Sequence, residues 1–181
     1  MKYQKGNMFK KVNKNISALI LIVFLIFISC SNGNNSNYLP NKLGELNLTK
    51  VIQNKKATII INKMHDGKLD DCKNFIAIYG DNHSKNILYV SVYENAENAE
   101  TNLKNMAIKM ATGSSVFSPL THRKMENKVH FETEGMGFKH YFYRVDNILI
   151  WWQVEPDKAE TTLNDLLKFD FVILNDKGNR Q

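Results

Sequence analysis

The chain has 181 residues, with 24 Lys and Arg against 18 Asp and Glu, a formal net charge of +6 that suits an anionic partner. Five of those lysines (Lys2, Lys5, Lys10, Lys11 and Lys14) fall in residues 1–15, which carry no acid, so the remainder sets 19 basic residues against 18 acidic ones. A domain this close to neutral lacks the clustered positive charge that a phosphate backbone demands, and nucleic acid is excluded as a partner.

Residues 16–28 are an apolar run of 13 positions. That length lies within the ~7–15 of a signal-peptide core and short of the ~18–20 that cross a hydrocarbon layer comfortably. The run ends in Phe27-Ile28-Ser29-Cys30, a small residue before a cysteine. Basic leader, short apolar run and Ser29-Cys30, in this order, resemble a bacterial lipoprotein signal, and the likeness covers about the first 30 residues. It implies cleavage of residues 1–29, a diacylglyceryl group on the sulfur of Cys30, and a domain outside the cytoplasm held to a membrane of the cell envelope. The sequence departs from the family at Phe27, where Leu is usual, and at Ile28, larger than the common Ala or Ser. An uncleaved signal anchor is the competing reading. Two or three acyl chains hold a domain stably, at ~0.8 kcal/mol per buried methylene, where one does not.

Residues 30–38 then read as the lipidated cysteine and a polar, Asn-rich tether that buries nothing. If Cys30 is lipidated, Cys72 has no disulfide partner, and the one globular domain expected over residues 39–181 must rest on its core. Cys72 follows Asp70-Asp71, whose charges disfavour a thiolate, so it reads as inert.

Leu43, Leu46 and Leu48 suggest a first strand or extended arm, and Ala57, Ile60, Ile61 and Met64 a first helix over about residues 55–65, stopped by Gly67. The run Ile59-Ile60-Ile61 also fits a strand. Residues 74–79 and 87–93 read as two strands, and Asn95 caps a helix with Ala99, Leu103 and Met106 on one face. Residues 113–124 read as a loop, 129–134 as a strand turned back by Gly135-Met136-Gly137, and 139–144 and 148–154 as strands joined by Asp146-Asn147. Pro156 opens a last helix carrying Ala159, Leu163, Leu166 and Leu167, and residues 169–174 suggest a final short strand.

Ala99-Glu100-Thr101-Asn102-Leu103 aligns with Ala159-Glu160-Thr161-Thr162-Leu163 at an offset of 60, and Leu88, Val90 and Val92 align with Ile148, Ile150 and Trp152. We infer an internal ββα duplication, over about residues 74–112 and 138–168. The fold class that follows is α+β, an antiparallel sheet with helices on one face, on which Leu88, Val90, Ile148, Ile150 and Trp152 point to the helices.

The opposite face then carries Tyr89, Tyr93 and Trp151, joined by His140, Phe142 and Arg144 if Asp146-Asn147 is a two-residue turn that pairs Trp151 with Phe142. Left uncovered, these rings make a docking surface for an envelope protein or peptide; covered by another layer, they are core. If Gly135-Met136-Gly137 is a three-residue turn, His130 and Glu132 share that face, with Glu132 opposite His140. Two imidazoles and a carboxylate there suit a zinc or acid–base site, although three such residues also meet on a hairpin by chance. The sequence carries no dense metal, nucleotide or nucleophile motif and implies no cofactor. The expected function is a non-catalytic, lipid-anchored binding module, with a metal-dependent envelope enzyme as the alternative.

Overall fold

The computed structural model describes residues 39–64, 72–81, 85–126 and 128–171. The leader, Cys30 and the tether lie outside them, as do Gly67, Asp70-Asp71 and the 172–174 portion of the expected last strand. The elements run β1 (Lys42–Leu43), β2 (Leu46–Gln53), α1 (Asn54–Met64), β3 (Cys72–Tyr79), β4 (Asn86–Tyr93), α2 (Ala96–Met110), β5 (Thr121–Met125), β6 (Lys128–Gly135), β7 (Phe138–Val145), β8 (Ile148–Val154), a 3-10 turn (Pro156–Lys158) and α3 (Ala159–Lys168). The strands form one sheet in the order β1-β2-β3-β4-β8-β7-β6-β5. Every neighbouring pair is antiparallel, so the α+β class with an antiparallel sheet holds.

Local chemistry explains most boundaries. The Asn95 side chain accepts the backbone N–H of Asn98 at 2.9 Å and so caps α2. Asp146, with φ of 49°, takes the first position of a two-residue turn, and Val145 pairs with Ile148. The amide of Asn147 then donates to the Tyr93 carbonyl at 2.6 Å and fastens this turn to the end of β4.

Three local expectations and one global one are corrected. The reverse turn after β6 has two residues, Met136 and Gly137 (φ 54° and 82°), because Gly135 itself pairs with Phe138. Residues 121–124, expected as the end of a loop, belong to the edge strand β5, paired with β6 through Arg123 and His130. Phe169 to Phe171, expected to start a strand, follow α3 without strand pairing.

The placement of the helices is the largest correction: they cover both faces, not one. α3 buries Ala159, Leu163, Leu166 and Leu167 against the face of Leu88, Val90, Ile148, Ile150 and Trp152, as expected. There the Trp152 indole donates to Thr162 Oγ1 at 3.1 Å and the Tyr143 hydroxyl to the Leu166 carbonyl at 3.1 Å. α2 instead buries Ala99, Leu103 and Met106 against Tyr93, Phe142 and Leu149 on the other face, and α1 seats Ala57 and Ile61 on Ile76 beside it. Central strands apolar on both sides require a layer on each, since burying a Leu- or Phe-sized side chain contributes roughly 1.5–3 kcal/mol.

An offset of 60 carries Val90 to Ile150, and these two residues pair directly, flanked by Leu88 with Trp152 and Val92 with Ile148. β4 and β8 are thus related by a local two-fold axis through the Val90–Ile150 pair. Such an axis, normal to the sheet, keeps equivalent helices on one face. α2 and α3 lie on opposite faces, so the helices do not share the strands' symmetry.

Candidate functional site

Between α1 and α2 the sheet is left partly open. The floor of this cleft is Tyr89 and Ser91 from β4 and Leu149 and Trp151 from β8; Ile61 and Met64 of α1 and Met106 of α2 form its walls. Tyr89 and Trp151 are half-buried and meet edge to face, with ring centroids 6.4 Å apart. The enclosed volume is about 20 Å³, room for roughly one water. One end is polar: the buried Asn74 amide donates to Thr58 Oγ1 at 3.1 Å and accepts from Ser91 Oγ at 2.7 Å and Cys72 Sγ at 3.5 Å. This bridge from α1 to the sheet went unread in the sequence, where Asn74 is one polar residue at the head of a strand.

The register expected for β7 and β8 is observed: Phe142 pairs with Trp151, and His140, Phe142 and Arg144 share the face of Tyr89, Tyr93 and Trp151. The uncovered docking face is not. Phe142 is fully buried and Tyr93 nearly so beneath α2, which leaves Tyr89 and Trp151 as the rings that line the cleft. Arg144 is engaged through Nε with Glu100 Oε2 at 2.5 Å and through Nη1 with the Asp146 carbonyl at 2.9 Å. Hydrogen bonds from Arg144 and Lys104 hold the Glu100 carboxyl below its ordinary pKa. Arg144 therefore braces α2 against the β7–β8 turn and stands outside the cleft.

The proposed metal cluster is split by the sheet. With a two-residue turn after β6, Thr133 stands opposite His140 and Glu132 opposite Tyr141, one position from the expected register. His130 and Glu132 consequently lie on the α3 side, where the His130 ring meets Tyr141 at 5.8 Å. His140 lies on the α1–α2 side, where Nδ1 accepts the Trp151 indole N–H at 3.1 Å and Nε2 contacts the Gly135 carbonyl at 3.2 Å. Burial pushes the pKa of both histidines down. No group of three or more His, Cys, Asp or Glu that could hold a metal occurs among the described residues.

Two other concavities flank the sheet edge. One, of about 180 Å³, is lined by Thr121, Glu132, Glu134, Lys139 and Tyr141 together with Ser118 and its neighbours; the other, of about 300 Å³, lies between the end of α2 and β5–β6, beside Ile108, His122 and Phe131. Glu134 and Lys139 pair at 3.0 Å across the first. The second is a shallow trough. No helix among the described residues is long and apolar enough to cross a membrane. No family model, curated protein or solved structure matches the chain.

Proposed function

We propose that this chain is a lipid-anchored protein of a bacterial cell envelope and that its domain is a binding module, which takes an apolar side chain of a partner envelope protein or peptide between α1 and α2. The observation that carries the reading is the pair Tyr89 and Trp151, two half-buried amphipathic rings at the floor of a cleft walled by methionines. Such rings supply contact area at low entropic cost, and Met64 and Met106 adapt their shape to what they meet. A cleft with room for one water admits a side chain only if its walls part.

The anchor half of the proposal rests on the basic leader, the 13-residue apolar run and Ser29-Cys30. Mass spectrometry of the mature protein tests it: Cys30 is expected as an acyl-modified first residue, and an intact 1–29 segment contradicts it. The binding half is tested by affinity capture after crosslinking in intact cells. Tyr89→Ala and Trp151→Ala are expected to cut recovery of one discrete partner by about tenfold or more, the effect of removing an aromatic anchor worth over ~1.4 kcal/mol. Undiminished recovery with both folded variants contradicts the cleft as the site.

A further inference from the structure

His130, on β6, is 1 % exposed, and neither of its ring nitrogens has a hydrogen-bond partner among the described residues. Charged and titratable groups face it from every strand and helix around it. Arg123 stands directly opposite on β5, Glu132 and Lys128 lie two residues to either side on β6, Tyr141 meets its ring from β7, and Glu160 comes from the first turn of α3. Lys128 is occupied by the Leu167 carbonyl. Arg123 joins the others: its guanidinium reaches Glu132 at 3.1 Å and Glu160 at 3.5 Å, tying the β5–β6 hairpin to α3. A buried imidazole with two unmet nitrogens is unfavourable when neutral and more so when charged.

We propose that His130 is a proton-operated latch: on gaining a proton the ring leaves its buried seat, takes Glu132 or Glu160 from Arg123, and so loosens the hold of α3 on the β5–β6 edge, which Lys128–Leu167 and Lys168–Glu126 otherwise share. In the closed state burial and the Arg123 charge oppose the imidazolium, and the two carboxylates only partly offset them. In the open state the ring is hydrated and beside a carboxylate, so its pKa is no lower than the ordinary value of about 6.5. Protons therefore bind the open state preferentially, and opening grows about tenfold for each pH unit below ~6.5 until the closed state's own lowered pKa is reached. The loosened element is suited to this: β5 is a five-residue strand, largely exposed, with β6 as its only sheet neighbour among the described residues.

Hydrogen exchange of the full chain in detergent between pH 8 and pH 5, corrected for the intrinsic pH dependence of exchange, tests the latch. Protection of β5, β6 and the first turn of α3 is expected to fall about tenfold per unit below ~pH 6.5 while β3 and β4 stay protected. His130→Leu, which fills the seat with an apolar side chain, is expected to keep protection level over the whole range. Acid loss that persists unchanged in His130→Leu overturns the proposal, as does full protection of β5–β6 in the wild type down to pH 5. An NMR titration of the wild-type ring gives a reading that needs no variant. His130 is expected to stay neutral until protection falls and to titrate together with it; titration near the ordinary histidine value with β5 still protected also overturns it.

Discussion

Trp151 on β8 donates its indole N–H to Nδ1 of His140 on β7, 3.1 Å away, and so makes His140 the Nε2–H tautomer, whose own N–H reaches the Gly135 carbonyl at 3.2 Å. One ring that lines the cleft thereby also orders the strand beneath it. Trp151→Phe keeps an aromatic floor but leaves a buried nitrogen unmet, a loss of about 1–3 kcal/mol. Urea unfolding checks this, and an unchanged midpoint contradicts it.

His130 and His140 both have folded-state pKa values lowered by burial, so near the ordinary value of ~6.5 the folded chain binds fewer protons than the unfolded one. Their contribution to stability is intact above about pH 7, falls as pH drops through ~6.5, and levels off below the lowered values. The Glu100 and Glu155 carboxyls, lowered by hydrogen bonds, add their loss only below about pH 4.5. Thermal melts at pH 8, 6.5 and 5.5 are expected to give successively lower midpoints, and a flat profile over that range contradicts the assignment.

Phe142 and Tyr89 stand on the same face of the sheet yet differ in burial, Phe142 being 0 % exposed under α2 and Tyr89 half-buried in the cleft. Phe142→Ala is expected to destabilise the fold by about 3–5 kcal/mol. Tyr89→Ala is expected to cost less, and its main effect falls on partner capture. Equal losses from the two in denaturant unfolding contradict the division of roles.

Gly135 is needed for space. A Cβ there would lie 2.3 Å from Phe117 Cδ1 and 2.5 Å from the Val116 carbonyl oxygen, so the segment that crosses the end of β6 has to move. Gly135→Ala is expected to destabilise by about 1–3 kcal/mol and to disturb the Phe117–His140 ring contact, now at 5.1 Å. Differential scanning calorimetry checks the first, and the His140 ring shifts in NMR the second.

Much of the sheet was legible because its signals are local. Asp146-Asn147 announced a two-residue turn and with it the pairing of Phe142 with Trp151, Asn95 announced the start of α2, and the apolar stripes of the helices gave their inward faces. The face each helix would choose was not legible, because that choice is made by packing between distant segments. One sign was present: Ile148-Leu149-Ile150-Trp151-Trp152 is apolar without alternation, as in a strand buried on both sides. The edge strand Thr121-His122-Arg123-Lys124-Met125 carries no apolar alternation at all, which is how an exposed edge is protected and why it reads as loop. The metal cluster failed on a single residue. Met136 accepts a positive φ that its side chain does not advertise, the turn has two residues rather than three, and a one-residue slip sends His130 and Glu132 through the sheet.

The central claim is that the partner enters between α1 and α2 over Tyr89 and Trp151. A photo-crosslinking amino acid placed in intact cells at Met64, on the cleft wall, and separately at Ile59, exposed on the same helix but outside the cleft lining, tests it most directly. The expected result is one discrete adduct from position 64 that is lost when Tyr89→Ala is added, and none from position 59. The same adduct from both positions, or an adduct from position 64 that survives Tyr89→Ala, would contradict it.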